Sequence, residues 1–478
     1  MVLKVRTRFA PSPTGYMHLG NLRSALYAYL FARQNDGTFI LRIEDTDLER
    51  YVPGAVEVIY DTLKAAGITI DEGPNEGGAY GPYVQSERKE IYLRHARELI
   101  EKGVAYYCFC GKERLEKLRD EKGVSRYDKH CLHLPKEEIE KRLRRGDPYV
   151  IRQNMPTEGV SEFYDHVFGR ITINNDELED HVLIKSDGLP TYNFANVIDD
   201  HLMRITHVIR GNEYLSSTPK YNLLYEAFGW KIPEYIHLTP IMKDETRKLS
   251  KRHGDAHFDD FIRKGYLSEA IINYIALLGW SPKGTQEKFT LEELIKNFSV
   301  SGLSRSPSIF DEKKMKWLNA EYIKELPFEE FMEHALPYFE ASKIKGRYDY
   351  RKFGKLLQSR IEIFSEIPEK VEFIVDYKPI PKEMYALKKY KLDAGIAKGI
   401  IEASIPAFSE LQAWEEEKLH GIIQNLASVL EMKAASVYTT LRIALSAHAV
   451  TPGGAAEIAG ILGKEESLER LRKALSWL

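Results

Sequence analysis

Two segments hold the residue types that phosphate chemistry needs. One is Arg8-Phe9-Ala10-Pro11-Ser12-Pro13-Thr14-Gly15-Tyr16-Met17-His18-Leu19-Gly20-Asn21, and the other is Arg247-Lys248-Leu249-Ser250-Lys251-Arg252. A helix N-terminus exposes unpaired N–H groups and partial positive charge, so it attracts phosphate. His18, set at such a terminus, can donate to a phosphate oxygen as charge builds there; the plain alternative is a helix cap or a core histidine. Gly20 has no side chain, so a flat base can approach the backbone. Lys248, Lys251 and Arg252 are mobile cationic donors able to stabilise charge spread over phosphoryl oxygens, although a basic loop on its own is commonly just solvated. No Gly-x-x-x-x-Gly-Lys-Ser/Thr segment occurs, so phosphate binding of the Walker type is excluded.

A second cluster has metal-ligand chemistry. All three cysteines fall in one segment, as Cys108-Phe109-Cys110 and Cys131-Leu132-His133. Two Cys-x-Cys/His pairs supply four ligands, as a closed tetrahedral Zn²⁺ site requires. Such closure makes the metal structural rather than catalytic. His133 has the symmetrical spacing for the fourth ligand, with Tyr127 and His130 close by. Three reduced cysteines without metal are the plainer reading.

The elements that position these residues follow from periodicity. Val5 to Phe9 reads as a strand, Leu19 to Gln34 as a helix and Phe39 to Ile43 as a second strand. A helix follows from about Pro53 to near Gly67. Strands alternating with helices predict parallel pairing in a doubly wound sheet. Ligands of open α/β sheets bind beyond the carboxyl ends of the strands, which is where the first motif lies. Residues from about 71 to 190 break the pattern and read as an insertion. The sheet pattern is expected to resume at His181 to Ile184, Ile205 to Ile209 and Tyr235 to Pro240. From about residue 320 the chain turns helical, with Pro327, Pro337, Pro368, Pro379 and Pro381 punctuating short helices.

Bulk properties are those of a soluble globular protein. The 478 residues suggest about three domains. No apolar run approaches the ~20 residues that span a bilayer, and Met1 to Arg6 has no signal-peptide core. Three cysteines fit a reducing cytosol. A net charge of −3 argues against a purely electrostatic nucleic-acid binder. Basic clusters occur at residues 343–355 and 378–391, where solvated faces are the default.

Set in chain order, several segments resemble bacterial glutamyl-tRNA synthetase, a class I aminoacyl-tRNA synthetase. They are residues 8–15, Leu41-Arg42-Ile43-Glu44-Asp45-Thr46-Asp47, residues 73–83, Gln85-Ser86-Glu87-Arg88, residues 185–192, Asn196-Val197-Ile198-Asp199-Asp200-His201 and Ile209-Arg210-Gly211-Asn212-Glu213. The resemblance implies an α/β fold: a Rossmann-like catalytic domain with a doubly wound parallel sheet, carrying an inserted acceptor-binding module and followed by all-α anticodon-binding domains. It divides the chain into catalytic segments 1–72 and 191–255, the insertion 73–190, a connecting domain 256–320, and helical subdomains 321–375 and 376–478.

The resemblance also implies roles. His18, Lys248 and Lys251 would be catalytic. Thr14, Gly15, His18, Gly20, Asn21, Lys248, Lys251 and Arg252 would hold ATP. Arg8, Ala10, Ser12, Glu44, Tyr192, Asn196, Arg210 and Glu213 would surround L-glutamate. Cys108, Cys110, Cys131 and His133 would hold Zn²⁺ near the tRNA acceptor end, and Arg360 would read the anticodon. The physics agrees for the arginines: a guanidinium pairs bidentately with a carboxylate and gains far less from a neutral amide. The glutaminyl relatives usually lack an arginine matching Arg210. The implied activity is an ATP- and Mg²⁺-dependent ligation of glutamate to tRNA-Glu by a cytoplasmic monomer that needs bound tRNA for activation, with no membrane involved. Rivals are a truncated paralogue that modifies a tRNA base, a nucleotidyltransferase acting without RNA, and a zinc-bearing RNA-binding protein. The helical half disfavours the first two. The joint presence of His18, Glu44, Arg210 and Lys251 disfavours the third.

Overall fold

The computed structural model describes residues 4–122, 127–249 and 257–478. The chain forms two units, Met1–Phe261 with Ile271–Asp311, and Ile262–Ala270 with Glu312–Leu478. The stretch read as one connecting domain, 256–320, is thus shared between them.

The first unit starts with strand β1 (Arg6–Phe9) and a turn at Gly15, whose φ of 115° favours glycine. Helix α1 (Leu19–Gln34) matches its expected span. Ten of its sixteen residues are buried, so it is an interior helix rather than a surface one. At Gly37 a Cβ would meet Val5 O at 2.6 Å, so glycine lets the chain double back. Strand β2 (Thr38–Leu41) then pairs in parallel with β1. Helix α2 (Ala55–Ala65) begins after Gly54, whose φ is 84°; Pro53 therefore precedes the helix instead of opening it.

The insertion holds α3 (Lys89–Glu101), β3 (Ala105–Cys108), α4 (Lys112–Lys122), α5 (Lys136–Arg145), β4 (Val150–Gln153), β5 (Val160–Asp165), β6 (Gly169–Asn174) and β7 (Val182–Ile184). Strands β3, β4 and β7 form an antiparallel sheet. This corrects the expectation that His181 to Ile184 resumes the parallel sheet. One edge of β7 pairs with β4, and Leu183 O accepts from Thr191 N at 2.8 Å. An apolar run of three residues carries no directional signal that could have revealed this.

Helix α6 (Tyr192–Leu202), β8 (His207–Gly211), α7 (Thr218–Phe228) and β9 (Glu234–Leu238) complete the sheet. β8 and β9 pair in parallel over five residues, placing Arg210 opposite His237. Thr206 N, just before β8, donates to Arg6 O at 3.0 Å and ties β1 alongside. The hairpin of β5 and β6 joins the other edge of β9 in parallel, at Asp165 opposite Tyr235. The insertion therefore returns two strands to the sheet it interrupts.

The second unit holds only helices and turns among its described residues. Its core runs from Leu267 through Phe331, Phe353 and Ile401 to Leu471. Gly265 adopts φ 81°, and a Cβ there would lie 2.8 Å from Phe364 Cβ, while Phe364 N donates to Gly265 O at 3.1 Å. Pro337 sits inside the helix Phe328–Glu340 rather than at a boundary. Its ring removes one helical N–H, but Pro337 and Glu333 are both exposed, so water can serve the released carbonyl. Phe331, fully buried, packs its ring 5.5 Å from that of Phe364. Phe331→Ala should lower the stability of the helical unit by about 3–5 kcal/mol, read as a fall in its urea midpoint. An unchanged midpoint would remove Phe331 from the core that closes this unit.

Candidate active site

Three strand ends open onto one cavity of about 600 Å³. Phe9 to Ser12 leave β1, Ile209 to Gly211 end β8, and Leu238 to Ile241 follow β9. The start of α1 closes one side. Of the residues expected here, Arg8, Ala10, Ser12, Thr14, His18, Gly20, Asn21, Glu44, Tyr192, Arg210, Glu213 and Lys248 all line it. Gly15 shapes the turn without lining the wall. Asn196 is buried one helical turn beyond Tyr192 and donates back to Tyr192 O at 2.6 Å. Lys251 and Arg252 lie outside the described residues. Arg23, Arg50, Tyr214 and Thr239 also line the cavity, and nothing in their local sequence singles them out.

His18 is indeed the N-cap of α1: its Nδ1 accepts from Gly20 N at 3.0 Å. The cap does not compete with a role at the cavity. With Nδ1 accepting, a neutral imidazole carries its proton on Nε2, which is then a donor. A Cβ at Gly20 would press within 3.2 Å of His18 Nδ1, so glycine protects this cap as well as the approach to the backbone. Lys248 is held by a short return of the chain, in which Leu249 N donates to Ile241 O at 3.0 Å.

Beneath the cavity floor lies a buried ionic network. Asp200 takes Arg42 Nη1 at 2.7 Å and Arg8 Nε at 3.1 Å. Arg42 also donates to Glu44 at 3.0 Å. Asp199 takes Arg88 Nε at 2.7 Å, Tyr92 OH at 2.8 Å and Gln85 Nε2 at 2.9 Å. Burial pushes the Glu44 carboxyl above its usual value, against the pull of Arg42 and Arg8. For Asp200 burial also acts upward, but the two guanidiniums prevail and hold it below the usual carboxylate range.

Arg210 stands apart. Its Nε donates to His237 Nε2 at 3.1 Å and its Nη2 to Thr218 Oγ1 at 2.9 Å. The rings of Tyr214 and Tyr221 each lie 5.0 Å from its guanidinium carbon, and that of Tyr235 lies 5.6 Å away. Among the described residues no carboxylate forms an ion pair with it. A buried cation held by neutral acceptors and π faces keeps its charge for an incoming anion.

The three cysteine sulfurs gather within 4.8 Å of one another. No ring nitrogen of His130 or His133 joins that group. Tyr127 does: its hydroxyl lies 3.3 Å from Sγ of Cys108 and 3.3 Å from Sγ of Cys110. Arg152 donates to Cys108 Sγ at 3.4 Å and lies 4.3 Å over the Tyr127 ring, favouring anionic ligands. Hydrogen bonds from Cys131, outweighing burial with help from Tyr127, hold the Cys108 thiol below its ordinary value. In the helical unit, Arg360 follows the helix Tyr350–Leu357, exposed, between a concavity with Lys352, Lys355 and Trp414 and another with Phe373 and His448.

Comparison with known proteins agrees in both units. The family described as tRNA synthetases class I (E and Q), catalytic domain, matches residues 4–317, and the anticodon binding domain matches residues 330–475. A glutamate–tRNA ligase of Clostridium novyi is 55% identical over 99% of this chain and 98% of that protein, and one of Clostridium botulinum is 56% identical with the same coverage. A crystal structure of a glutamate tRNA ligase from Elizabethkingia meningosepticum, in complex with its amino acid, superposes with a TM-score of 0.89 at 35% identity, covering 99% of each chain.

The ionic network makes a testable demand. Asp200→Asn leaves two buried guanidiniums short of a partner and should lower stability by about 3–5 kcal/mol at neutral pH. Because the folded carboxyl titrates below its unfolded value, its contribution is complete above about pH 4 and is lost as pH falls through the lower folded value. Urea midpoints taken from pH 6 down to 3 should therefore converge for the two proteins. Parallel lines would remove Asp200 from the acid response.

Proposed function

The chain belongs to the class I tRNA synthetases for glutamate and glutamine, and from that premise we infer that it is a glutamate–tRNA ligase. It activates L-glutamate with ATP to glutamyl-adenylate and transfers the glutamyl group to the 3′ end of tRNA-Glu. ATP enters with Mg²⁺. No helix among the described residues is long and apolar enough to cross a membrane, and a translation enzyme acts in the cytoplasm.

The observation that carries the choice of amino acid is the buried Arg210 without a carboxylate partner. Glutamate brings one; glutamine brings a neutral amide of the same shape. Rejection of glutamine then rests on leaving a buried cation unpaired, which discriminates strongly. Arg8, whose Nε and Nη1 are held by Asp200 and Ile209 O, keeps Nη2 for the substrate, and the Tyr192 ring packs at a tilt of 32° against that of Tyr214, 5.0 Å between centroids. Glu44 accepts from the α-ammonium. The α-carboxylate attacks the α-phosphorus, a new P–O bond forms, and pyrophosphate leaves with the bonding electrons. His18 Nε2–H, Lys248, Lys251 and Arg252 stabilise the charge spread over the phosphoryl oxygens. Gly20 and Asn21 border the base, and Thr14 and Gly15 the phosphates. The tRNA hydroxyl then attacks the acyl carbon and AMP departs.

Residues 73–190 contact the acceptor end, and Cys108, Cys110 and Cys131 are suited to Zn²⁺, with the fourth position falling to Tyr127 rather than His133. When bound, the metal supplies a cross-link between β3 and the 127–131 turn, not a catalytic centre. Segments 321–375 and 376–478 receive the anticodon, with Arg360 inspecting a base edge.

ATP–pyrophosphate exchange in the presence of tRNA-Glu tests the reading. Arg210→Gln should lower kcat/KM for glutamate at least ~100-fold, leaving the KM for ATP unchanged. Lys251→Ala should lower kcat far more than it raises the KM for glutamate. Exchange that proceeds equally well with glutamine would refute the assignment. Metal analysis should find one zinc per chain, lost in Cys108→Ser and in Tyr127→Phe but kept in His133→Ala. Retention in the first two would refute the ligand set.

A further inference from the structure

Arg210, His237 and Asp165 stand on three neighbouring strands, and each is fixed by the next. The β8–β9 register sets Arg210 opposite His237. His237 is fully buried, and its Nδ1 lies 2.7 Å from Asp165 Oδ2, which also accepts His237 N at 3.0 Å. The other oxygen, Oδ1, accepts Val167 N at 2.9 Å and Phe168 N at 2.8 Å. Every contact to this carboxylate is a donor, so it is built to be ionised. An ionised Asp165 requires a proton on His237 Nδ1, and a neutral ring then offers Nε2 as an acceptor. That acceptor holds Arg210 Nε.

We propose that Asp165 and His237 are positioning residues for substrate selection, a relay that aims the Arg210 guanidinium at the carboxylate of the side chain while leaving its charge unspent. The proposal rests on the reading of Arg210 as the group that recognises glutamate. The intervening imidazole is the essential part. A carboxylate placed directly on Arg210 would orient it equally well but would neutralise it, and glutamine would then fit as well as glutamate. With the neutral ring between them, Asp165 gives direction without cancelling the cation. Burial agrees: it holds the His237 ring at about 4, so the ring is neutral where the enzyme works. The anchor of the relay also lies in the insertion, on the last residue of β5, rather than in either segment of the nucleotide fold.

The experiment is aminoacylation of tRNA-Glu by the full chain, with kcat and KM measured for glutamate, glutamine and ATP. Three variants are compared. His237→Gln sets a carbonyl oxygen near the place of Nε2 and keeps the acceptor for Arg210. His237→Asn sets an N–H near the place of Nδ1, satisfying Asp165 but offering Arg210 nothing. The asparagine variant should raise the KM for glutamate and lower the glutamate-to-glutamine ratio of kcat/KM, each by about 10-fold or more, with the KM for ATP unchanged. The glutamine variant should restore most of both. Wild-type values in the asparagine variant, or equal losses in both variants for glutamate and ATP alike, would overturn the relay and leave His237 a packing residue. Arg210→Gln separates this from the premise: an unchanged ratio there overturns the reading of Arg210 itself, whereas a collapsed ratio beside an unaffected His237→Asn overturns only the relay.

Discussion

The buried carboxylate of Asp200, gripped by Arg8 and Arg42, is the interaction on which the site depends. Its three members come from β1, from the residue that follows β2 and from α6. The chain between the second and third is some 150 residues long and includes the whole insertion. Asp199 repeats the device next door by taking Arg88, Gln85 and Tyr92. Ion pairs of this depth contribute little net stability once desolvation is counted, but removing one member leaves a buried charge exposed to no solvent and no partner. What the network supplies is registry. The two parts of the nucleotide fold can close on each other only where acid meets base.

Registry then sets the charge of the cavity above. Arg8 and Arg42 are both engaged by Asp200, and Glu44 is engaged by Arg42, so this part of the floor is close to neutral overall. Arg210 is surrounded by tyrosines, a threonine and a histidine instead. Two arginines near one pocket thus differ because their surroundings differ: one is a strut that also lines the cavity, the other a cation with no ion-paired carboxylate among the described residues. Burial makes the second costly to leave unpaired, and on the proposed function that cost is what selects the substrate. The same tension is visible at Glu44, whose carboxyl is raised by burial although guanidiniums lie beside it.

Much of this was legible in the sequence because it is local. A strand, a Pro- and Gly-rich turn and a helix opening at His18 are contiguous, and their boundaries at Leu19 and Gln34 emerge as read. Arg210, Glu44 and Tyr192 sit in distinctive short motifs, and all reach the cavity. What escaped notice is what only tertiary pairing creates. Asp165 and His237 are ordinary strand residues until β5 lies beside β9. Asn196 shares a motif with its neighbours, but helical geometry turns its amide nitrogen back to Tyr192 O, and it is not among the residues that line the cavity. His133 has better spacing to Cys131 than Tyr127 has, yet a tight turn at residues 130–133 leaves its ring nitrogens out of the sulfur cluster and presents the Tyr127 hydroxyl there instead. Symmetry in sequence is a weaker guide than the direction of a side chain.

The course of the chain near Gly265 has a bearing on how such a protein is made and altered. Nine residues, Ile262–Ala270, belong to the helical unit although forty-one more residues of the first unit follow them. During synthesis on the ribosome neither unit is complete until the other has begun, so the two cannot mature strictly in turn. A recombination event that exchanged everything after residue 311 would leave behind Gly265 and Leu267, the anchors for Phe364 and Asn319. Grafting this helical unit onto another body therefore takes two splice points, and lineages that shuffled it by a single crossover would have had to rebuild that seam.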